Sequence, residues 1–247
     1  MSFSYGIGYD SSLLRGSDNS RRPWNLTDEI LFHAGKQLKL LDIGCGTALK
    51  LIPLAKHFLE ITGLDISEEM IDVANGTIKK YHLQNIKLLR GDSNNLPFKE
   101  KTYDIITCIL SRWSIKEIYR VLKPNGVVII EHIGCEDKKD FKIHFGKDRN
   151  GWRGQFINHQ KDEYLQFYYD LFNYFFDSVS IKNGFWKTYY TKQGILELLR
   201  FTPTIRNFNL ATDDMLLEKA CKTFKYPKGI ALTQNRILIY AQKPRNF

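Results

Sequence analysis

Apolar and polar positions follow two distinct periods along the first half of the chain. Short, mostly apolar runs recur at 38–44 (LKLLDIG), 60–67 (EITGLDIS), 86–92 (IKLLRGD), 103–110 (YDIITCIL) and 127–132 (VVIIEH). Their length and β-branched content predict strands. Between them, at 47–59, 67–83 and 114–122, apolar residues return every three or four positions, which predicts helices. Pro53 stands too late for a first turn, so a delayed start or a kink is expected in the first helix. Ser67 is a good N-cap, followed by Glu68 and Glu69 where the helix dipole favours acidic side chains. A PNG turn at 124–126 precedes the fifth strand. Strands separated by helices at this rhythm predict right-handed crossovers and a parallel sheet.

The second half changes character. Residues 134–188 hold 14 aromatics in 55 positions, about twice the chain average of 13%. Within 160–176, Tyr164, Phe167, Tyr168, Leu171, Phe172 and Phe175 recur at helical spacing and predict one apolar face. The α/β rhythm then resumes with a helix at 191–201, a strand at 204–210, a helix at 213–224 and a final strand at 236–242. The expected plan is one domain: an N-terminal cap (1–35), an α/β core (36–133 and 189–247) and an aromatic-rich insertion (134–188) serving as substrate lid.

Composition narrows the class. The 247 residues are 43% apolar and 26% charged, enough for a sizeable core in an ordinary globular protein. No apolar run approaches the roughly 20 residues that cross a bilayer, so no membrane is expected as a partner. The opening MSFSYGIGYDSS reads as no signal peptide. Four dispersed cysteines without a CxxC pair predict neither a zinc site nor a disulfide framework, so no metal and a cytoplasmic location are expected. The net charge of +9 is uneven: seven basic residues and no acidic one lie from Lys219 onward. Such a stretch could attract an anionic small molecule or nucleic acid.

The candidate chemistry starts in LLDIGCGTA. Asp42, Gly44, Cys45, Gly46 and Thr47 form a glycine turn between strand and helix, where a ligand approaches backbone N–H groups. A dinucleotide fingerprint wants a third glycine where Leu49 stands, and a P-loop wants Gly-Lys-Ser/Thr. The acidic Asp42 would repel a pyrophosphate and suits a positively charged nucleoside. Asp65 ends the second strand, where its carboxylate can accept from both ribose hydroxyls. Asp92 follows the third strand in GDSNNLPF and can accept from an adenine amine. Three carboxylates after three successive parallel strands line one crevice, the usual ligand site of an open α/β sheet.

At these residues the chain resembles the class I S-adenosylmethionine-dependent methyltransferases. LDIGCGTA is similar to the family's first motif, with Ala48 in place of its usual second glycine. GLDIS, GDSNNLPF, YDIITCILS and EIYRVLKPNGVVII are similar to the next four. The resemblance spans residues 36–132 and, more weakly, 191–242. It implies a Rossmann-like seven-stranded sheet in the order 3-2-1-4-5-7-6 with an antiparallel last strand and helices on both faces. It also implies S-adenosyl-L-methionine as cofactor and S-adenosyl-L-homocysteine as product. Carried over, Gly44 and Gly46 pack under the methionine moiety and ribose, Asp65 holds the ribose hydroxyls and Asp92 the adenine amine, with Ser93 assisting through its backbone. Ile66 and Met70 form apolar walls around adenine, and Asp42 orients the turn.

The acceptor side is less specified. Glu131 and His132, at the end of the fifth strand, are the candidate catalytic groups, with His144 and His159 behind them. Cys108 lacks the preceding proline of cytosine-C5 methyltransferases, and CILS replaces the Asn/Asp-Pro-Pro-Tyr/Phe motif of base-amine methyltransferases. In GKDRNGWRG, Arg149, Trp152 and Arg153 are candidate substrate residues, because bidentate arginines suit a carboxylate or phosphate. Arg21, Arg22 and Trp24 could meet the methionine end or the substrate. A small-molecule acceptor is expected, with RNA (rRNA or tRNA) as the alternative, then a protein acceptor or a non-catalytic cofactor-binding module. Oligomeric state is left open.

Overall fold

The computed structural model describes residues 15–18 and 22–244; Arg21 lies outside them. In chain order the elements begin with β1 (Arg15–Asp18), α1 (Leu26–Leu31), β2 (Lys39–Ile43), a 3-10 helix (Leu49–His57), β3 (Glu60–Asp65), α2 (Glu68–Lys80) and β4 (Ile86–Arg90). They continue through β5 (Tyr103–Ile109), α3 (Ile115–Val121), β6 (Leu122–Ile133), α4 (Lys139–Lys142), the short strands β7 (Lys147–Asp148) and β8 (Gly151–Trp152), and α5 (Lys161–Asn173). β9 (Ser178–Tyr190), α6 (Lys192–Phe201), α7 (Leu210–Thr223), β10 (Lys225–Tyr226) and β11 (Gly229–Gln242) complete the chain. Among the described residues no helix is long and apolar enough to cross a membrane.

The chain divides into two compact units. The sheet unit comprises Trp24–His132, Leu165–Lys182 and the chain from Ile237. Its strands run in the order β4-β3-β2-β5-β6-β11-β9, and β2 through β6 are parallel to one another. The backbone bonds of Lys243 to both Asn125 and Gly126 fit a last strand antiparallel to β6. These seven follow the expected 3-2-1-4-5-7-6 order, but the sheet has nine strands: β1 pairs antiparallel with β9 beyond it, and β10 pairs antiparallel with β11. Leu40, Ile61, Ile105, Ile129 and Leu238 fill the core with Leu51, Leu54 and Ala74 from the flanking helices. The parallel strands are buried on both faces, which explains their near-continuous apolar runs.

Three sequence expectations are corrected. The first helix is a 3-10 helix with Pro53 inside and left-handed Ala48 (φ 58°) before it. Proline removes an i to i−4 hydrogen bond and crowds the preceding turn, so a regular α-helix does not form there. Residues 204–210 hold only an isolated bridge from Ile205 to Gly154 and turns, and the sixth strand of the sheet is β9 instead. Residues 178–188, assigned to the insertion by their aromatics, therefore belong to the sheet. Finally, the buried side of α5 and its end is Tyr164, Tyr168, Phe172 and Phe176, whereas Phe167 is 60% exposed.

The second unit comprises Ile133–Tyr164, Asn183–Arg236 and the described residues before Trp24. α6 and α7 pack Ile195, Leu198, Leu217 and Ala220 with Phe141, Phe145 and Leu232 in a core of its own.

Candidate active site

The cofactor-site residues expected from the sequence all lie in the sheet unit, and strand register explains their assembly. Ile43 pairs with Leu64 and Cys108, Asp65 with Arg90, and Ile109 with Glu131. The loops after β2 to β6 thus leave the sheet at one edge, and each brings its candidate residues there.

The turn after β2 is tightly held. The N–H groups of Gly44 and Cys45 both donate to the Leu64 carbonyl, at 2.7 and 3.0 Å. Gly46 then donates its N–H to Asp65 Oδ2 at 2.9 Å, while Ser67 N–H donates to Oδ1 at 3.0 Å. Each carboxylate oxygen accepts one backbone donor and keeps further acceptor capacity. The same Ser67 caps α2 by accepting from Met70 N–H at 3.2 Å, so Asp65, Ile66 and Met70 are positioned by one cap. Ile66 is exposed, Met70 and Thr47 are half-buried, and Cys45 is buried, with burial pushing its thiol pKa up.

Gly44 has φ +74°, and a side chain there would meet Ser111 Oγ at 2.1 Å and Ser111 Cβ at 2.3 Å. Gly46, at φ +53°, faces open space. The two glycines therefore differ: Gly44 allows close packing with the loop after β5, and Gly46 leaves backbone open to a ligand. Gly44→Ala is expected to lose about 1–2 kcal/mol in denaturant unfolding, with Ser111→Gly restoring part of it. An unchanged unfolding midpoint would remove the packing role from Gly44.

Asp42 is buried beneath the turn and accepts from Thr107 Oγ1 at 2.6 Å. Burial pushes its carboxyl up to about 6, the Thr107 hydroxyl and Lys50 work against the rise, and the Asp65 charge adds to it. Asp92 is exposed and shapes its own loop: Oδ1 accepts from the Asn94 N–H and side-chain amide, at 2.9 and 3.0 Å. Ser93 beside it is buried. The loop is pinned farther on, where Leu96 N–H donates to Glu117 at 2.8 Å and Arg120 donates to the Leu96 and Phe98 carbonyls.

Glu131 is buried at the end of β6, and its carbonyl accepts from Leu110 N–H at 2.9 Å. The His132 ring lies 5.2 Å from that of Tyr168, with Nε2 3.5 Å from the phenol oxygen. Trp113 packs against Tyr168 and Phe172, at 6.3 and 5.4 Å between ring centroids. Cys108 is fully buried, and burial pushes its thiol pKa up, which suits a packing residue and not a nucleophile.

The candidate substrate residues belong to the second unit. Arg149 is exposed, and Trp152 carries the Lys147 ammonium 4.9 Å from its ring centre. Arg153 is committed internally: it donates to both oxygens of Asp213 at 2.7 Å and to the Arg206 and Asn207 carbonyls. Arg206 in turn holds Asp148, so the Gly-rich loop is clamped from both sides. His144 packs edge-on against Phe224, and His159 against Tyr164.

Sequence reasoning missed Ser111, Thr107 and Gly63. Gly63 is needed because a side chain there would meet Leu88 at 2.8 Å and the Cys45 sulfur at 3.0 Å. A glycine inside a strand is a recognised sign of close approach, whereas Ser111 and Thr107 carry no comparable signal.

Residues 40–126 match a family model described as a methyltransferase domain. Over those residues, about a third of the chain, it is similar to that domain family. A demethylmenaquinone methyltransferase of Staphylococcus haemolyticus is 41% identical over 101 residues, 37% of this chain and 41% of that protein. One from Staphylococcus saprophyticus is 33% identical over 150 residues, 55% of this chain and 63% of the relative. The chain thus spans less than two thirds of either. Over the whole fold, the YcgJ protein of Bacillus subtilis superposes with a TM-score of 0.62 at 18% identity, covering 89% of this chain and 98% of that one.

Proposed function

We propose that this chain is a methyltransferase that uses S-adenosylmethionine to methylate a small-molecule acceptor by in-line transfer. The observation that carries the reading is the Gly46–Asp65–Ser67 unit, where an open glycine backbone stands beside an amide-fixed carboxylate with acceptor capacity to spare. The residues fit the cofactor: Asp65 would take the ribose hydroxyls, exposed Ile66 and half-buried Met70 would flank adenine, and Asp92 with Ser93 would meet its amine. Asp42 contributes negative charge near the turn. When bound, the cofactor supplies an activated methyl group on a sulfonium, and the protein supplies alignment and desolvation.

On the acceptor side, half-buried Trp113 is backed by the buried rings of Tyr168 and Phe172 in the sheet unit. This favours a planar or apolar acceptor, in keeping with the demethylmenaquinone methyltransferases among the relatives. Glu131 and His132 are the groups we assign to a proton leaving the acceptor, a step needed only if its nucleophile is a hydroxyl or similar group.

Asp42 makes cofactor affinity depend on pH. Its folded pKa of about 6 lies above the ordinary 3.8, so in the free chain its ionisation between these values costs stability. A cation bound near it favours the ionised form. Affinity is therefore expected to climb as pH rises through 6 and to level off above, while Asp42→Asn flattens the profile. Equally steep profiles in both proteins would exclude Asp42.

Methyl-tritiated S-adenosylmethionine, incubated with the chain and a source-cell lysate, tests the acceptor class. Label in the small-molecule fraction is expected; label in RNA or protein would overturn it.

A further inference from the structure

The order in which the chain builds its parallel strands reverses between β2 and β5. From β2 it runs outward to β3 and β4, and from β5 the other way to β6. Open α/β sheets bind ligands in the crevice at such a switch point, outside the carboxyl ends of the two central strands. The turn at 44–46 leaves β2 on one side of it, and residues 110–113 leave β5 on the other, with Ile43 paired to Cys108 at their base. The two loops touch: Ser111 Oγ and Cβ occupy the space that a side chain on Gly44 would take.

The loop after β5 is held in an unusual shape. Leu110, a non-glycine residue, stands at φ +55°. Its N–H donates to the Glu131 carbonyl at 2.9 Å, and the Cys108 thiol donates to the Arg112 carbonyl at 3.6 Å. Left-handed backbone at a bulky side chain is costly, and such strain concentrates at functional sites. Here it accompanies the placement of Ser111 on the glycine turn. Ser111 is half-buried, and among the described residues nothing hydrogen-bonds its hydroxyl, a group that can both donate and accept. Contact with Gly44 asks for bulk and not for a hydroxyl.

Position along the edge of the sheet selects the ligand group. Adenine is assigned to the end of β4 at Asp92, and ribose to the end of β3 at Asp65. A nucleoside lying along that edge sends its 5′ substituent past β2 towards β5, at about 4.8 Å per strand. In S-adenosylmethionine that substituent carries an α-ammonium and an α-carboxylate.

We propose that the Ser111 hydroxyl hydrogen-bonds the amino-acid end of the cofactor; the proposal rests on the proposed use of S-adenosylmethionine. Asp65 and Ser111 then hold the ligand from the two sides of the switch point. Hydrogen bonds to a charged partner are stronger than neutral ones, so one hydroxyl suffices for a measurable effect.

The test is a calorimetric titration of the full chain with two ligands. One is S-adenosylhomocysteine; the other is 5′-deoxy-5′-methylthioadenosine, which keeps the nucleoside and sulfur but lacks the amino-acid end. Ser111→Ala retains the Cβ against Gly44 and loses only the hydroxyl. It is expected to weaken S-adenosylhomocysteine about tenfold and to leave methylthioadenosine within about twofold. Equal losses for both ligands would leave Ser111 a packing residue, and unchanged affinity for S-adenosylhomocysteine would remove the contact; either result overturns the proposal. If the wild-type chain binds neither ligand, the assignment of the cofactor itself fails and the proposal falls with it.

Discussion

Asp65→Ala is expected to weaken S-adenosylhomocysteine binding by about one to two decades in a calorimetric titration. The carboxylate occupies the pivot of the site: Oδ2 accepts from Gly46 N–H and Oδ1 from Ser67 N–H, so its orientation is set before any ligand arrives. The charged, pre-oriented acceptor would contribute about 1.5–3 kcal/mol in all to holding the ribose hydroxyls, and each 1.4 kcal/mol is tenfold. Removing the side chain also leaves two backbone donors without their acceptor and loosens the turn. Asp65→Asn, which keeps one carbonyl oxygen, should fall between wild type and alanine. Because Asp65 is only half-buried, the unfolding midpoint should change far less than the affinity. Unchanged affinity in a folded Asp65→Ala protein would take the ribose away from this position.

Arg153→Ala is expected to affect stability, with the opposite signature. Arg153 and Asp213 are 14% and 4% exposed at their side chains and joined by two 2.7 Å bonds. Truncating the arginine strands a buried carboxylate, and breaking buried pairs typically costs about 3–5 kcal/mol. Arg153 keeps some solvent contact, so about 3 kcal/mol is the better expectation, equivalent to roughly 6–12 °C in melting temperature for a chain of this size. Asp213→Asn in the same chain should recover part of the loss, because it removes the stranded charge. Cofactor affinity should be unaffected. If Arg153→Ala keeps its melting temperature and loses turnover, the arginine serves the acceptor after all.

The contrast between Asp65 and Arg153 shows what the sequence discloses. Asp42, Gly44, Gly46, Asp65 and Asp92 stand at the ends of strongly apolar strands, and the spacing of those strands already implies that parallel pairing aligns their ends. Local pattern and tertiary arrangement agree, so the parallel strands and their aligned ends were legible, while the strand order came from the family resemblance of the motifs. The partner of Arg153 lies 60 residues away on a helix whose start was expected at Asp213 itself, whereas the helix begins at Leu210 behind Asn209. Nothing local marks that pairing. Ser111 was hidden for a similar reason, since its role is to pack against Gly44 across two strands.

β9 failed for a different cause. Its half-buried positions are odd-numbered up to Asn183, and its buried positions are even-numbered from Gly184 to Thr188, so the alternation changes phase in mid-strand. A period-two search sees two short fragments there, and the aromatic content drew the segment into the insertion. Residues 204–210 alternate better, yet lie in turns fixed by Arg153, Arg206 and Asp148. Tertiary hydrogen bonding overrode a weak local preference.

A crystal structure of the chain with S-adenosylhomocysteine tests the central claim most directly. The ribose hydroxyls are expected within about 2.5–3.0 Å of the Asp65 oxygens, with adenine beside Ile66 and Asp92 and the homocysteine sulfur over the Gly44–Gly46 turn. Ligand density elsewhere, or a ribose that does not touch Asp65, would contradict the assignment of this edge of the sheet as the cofactor site.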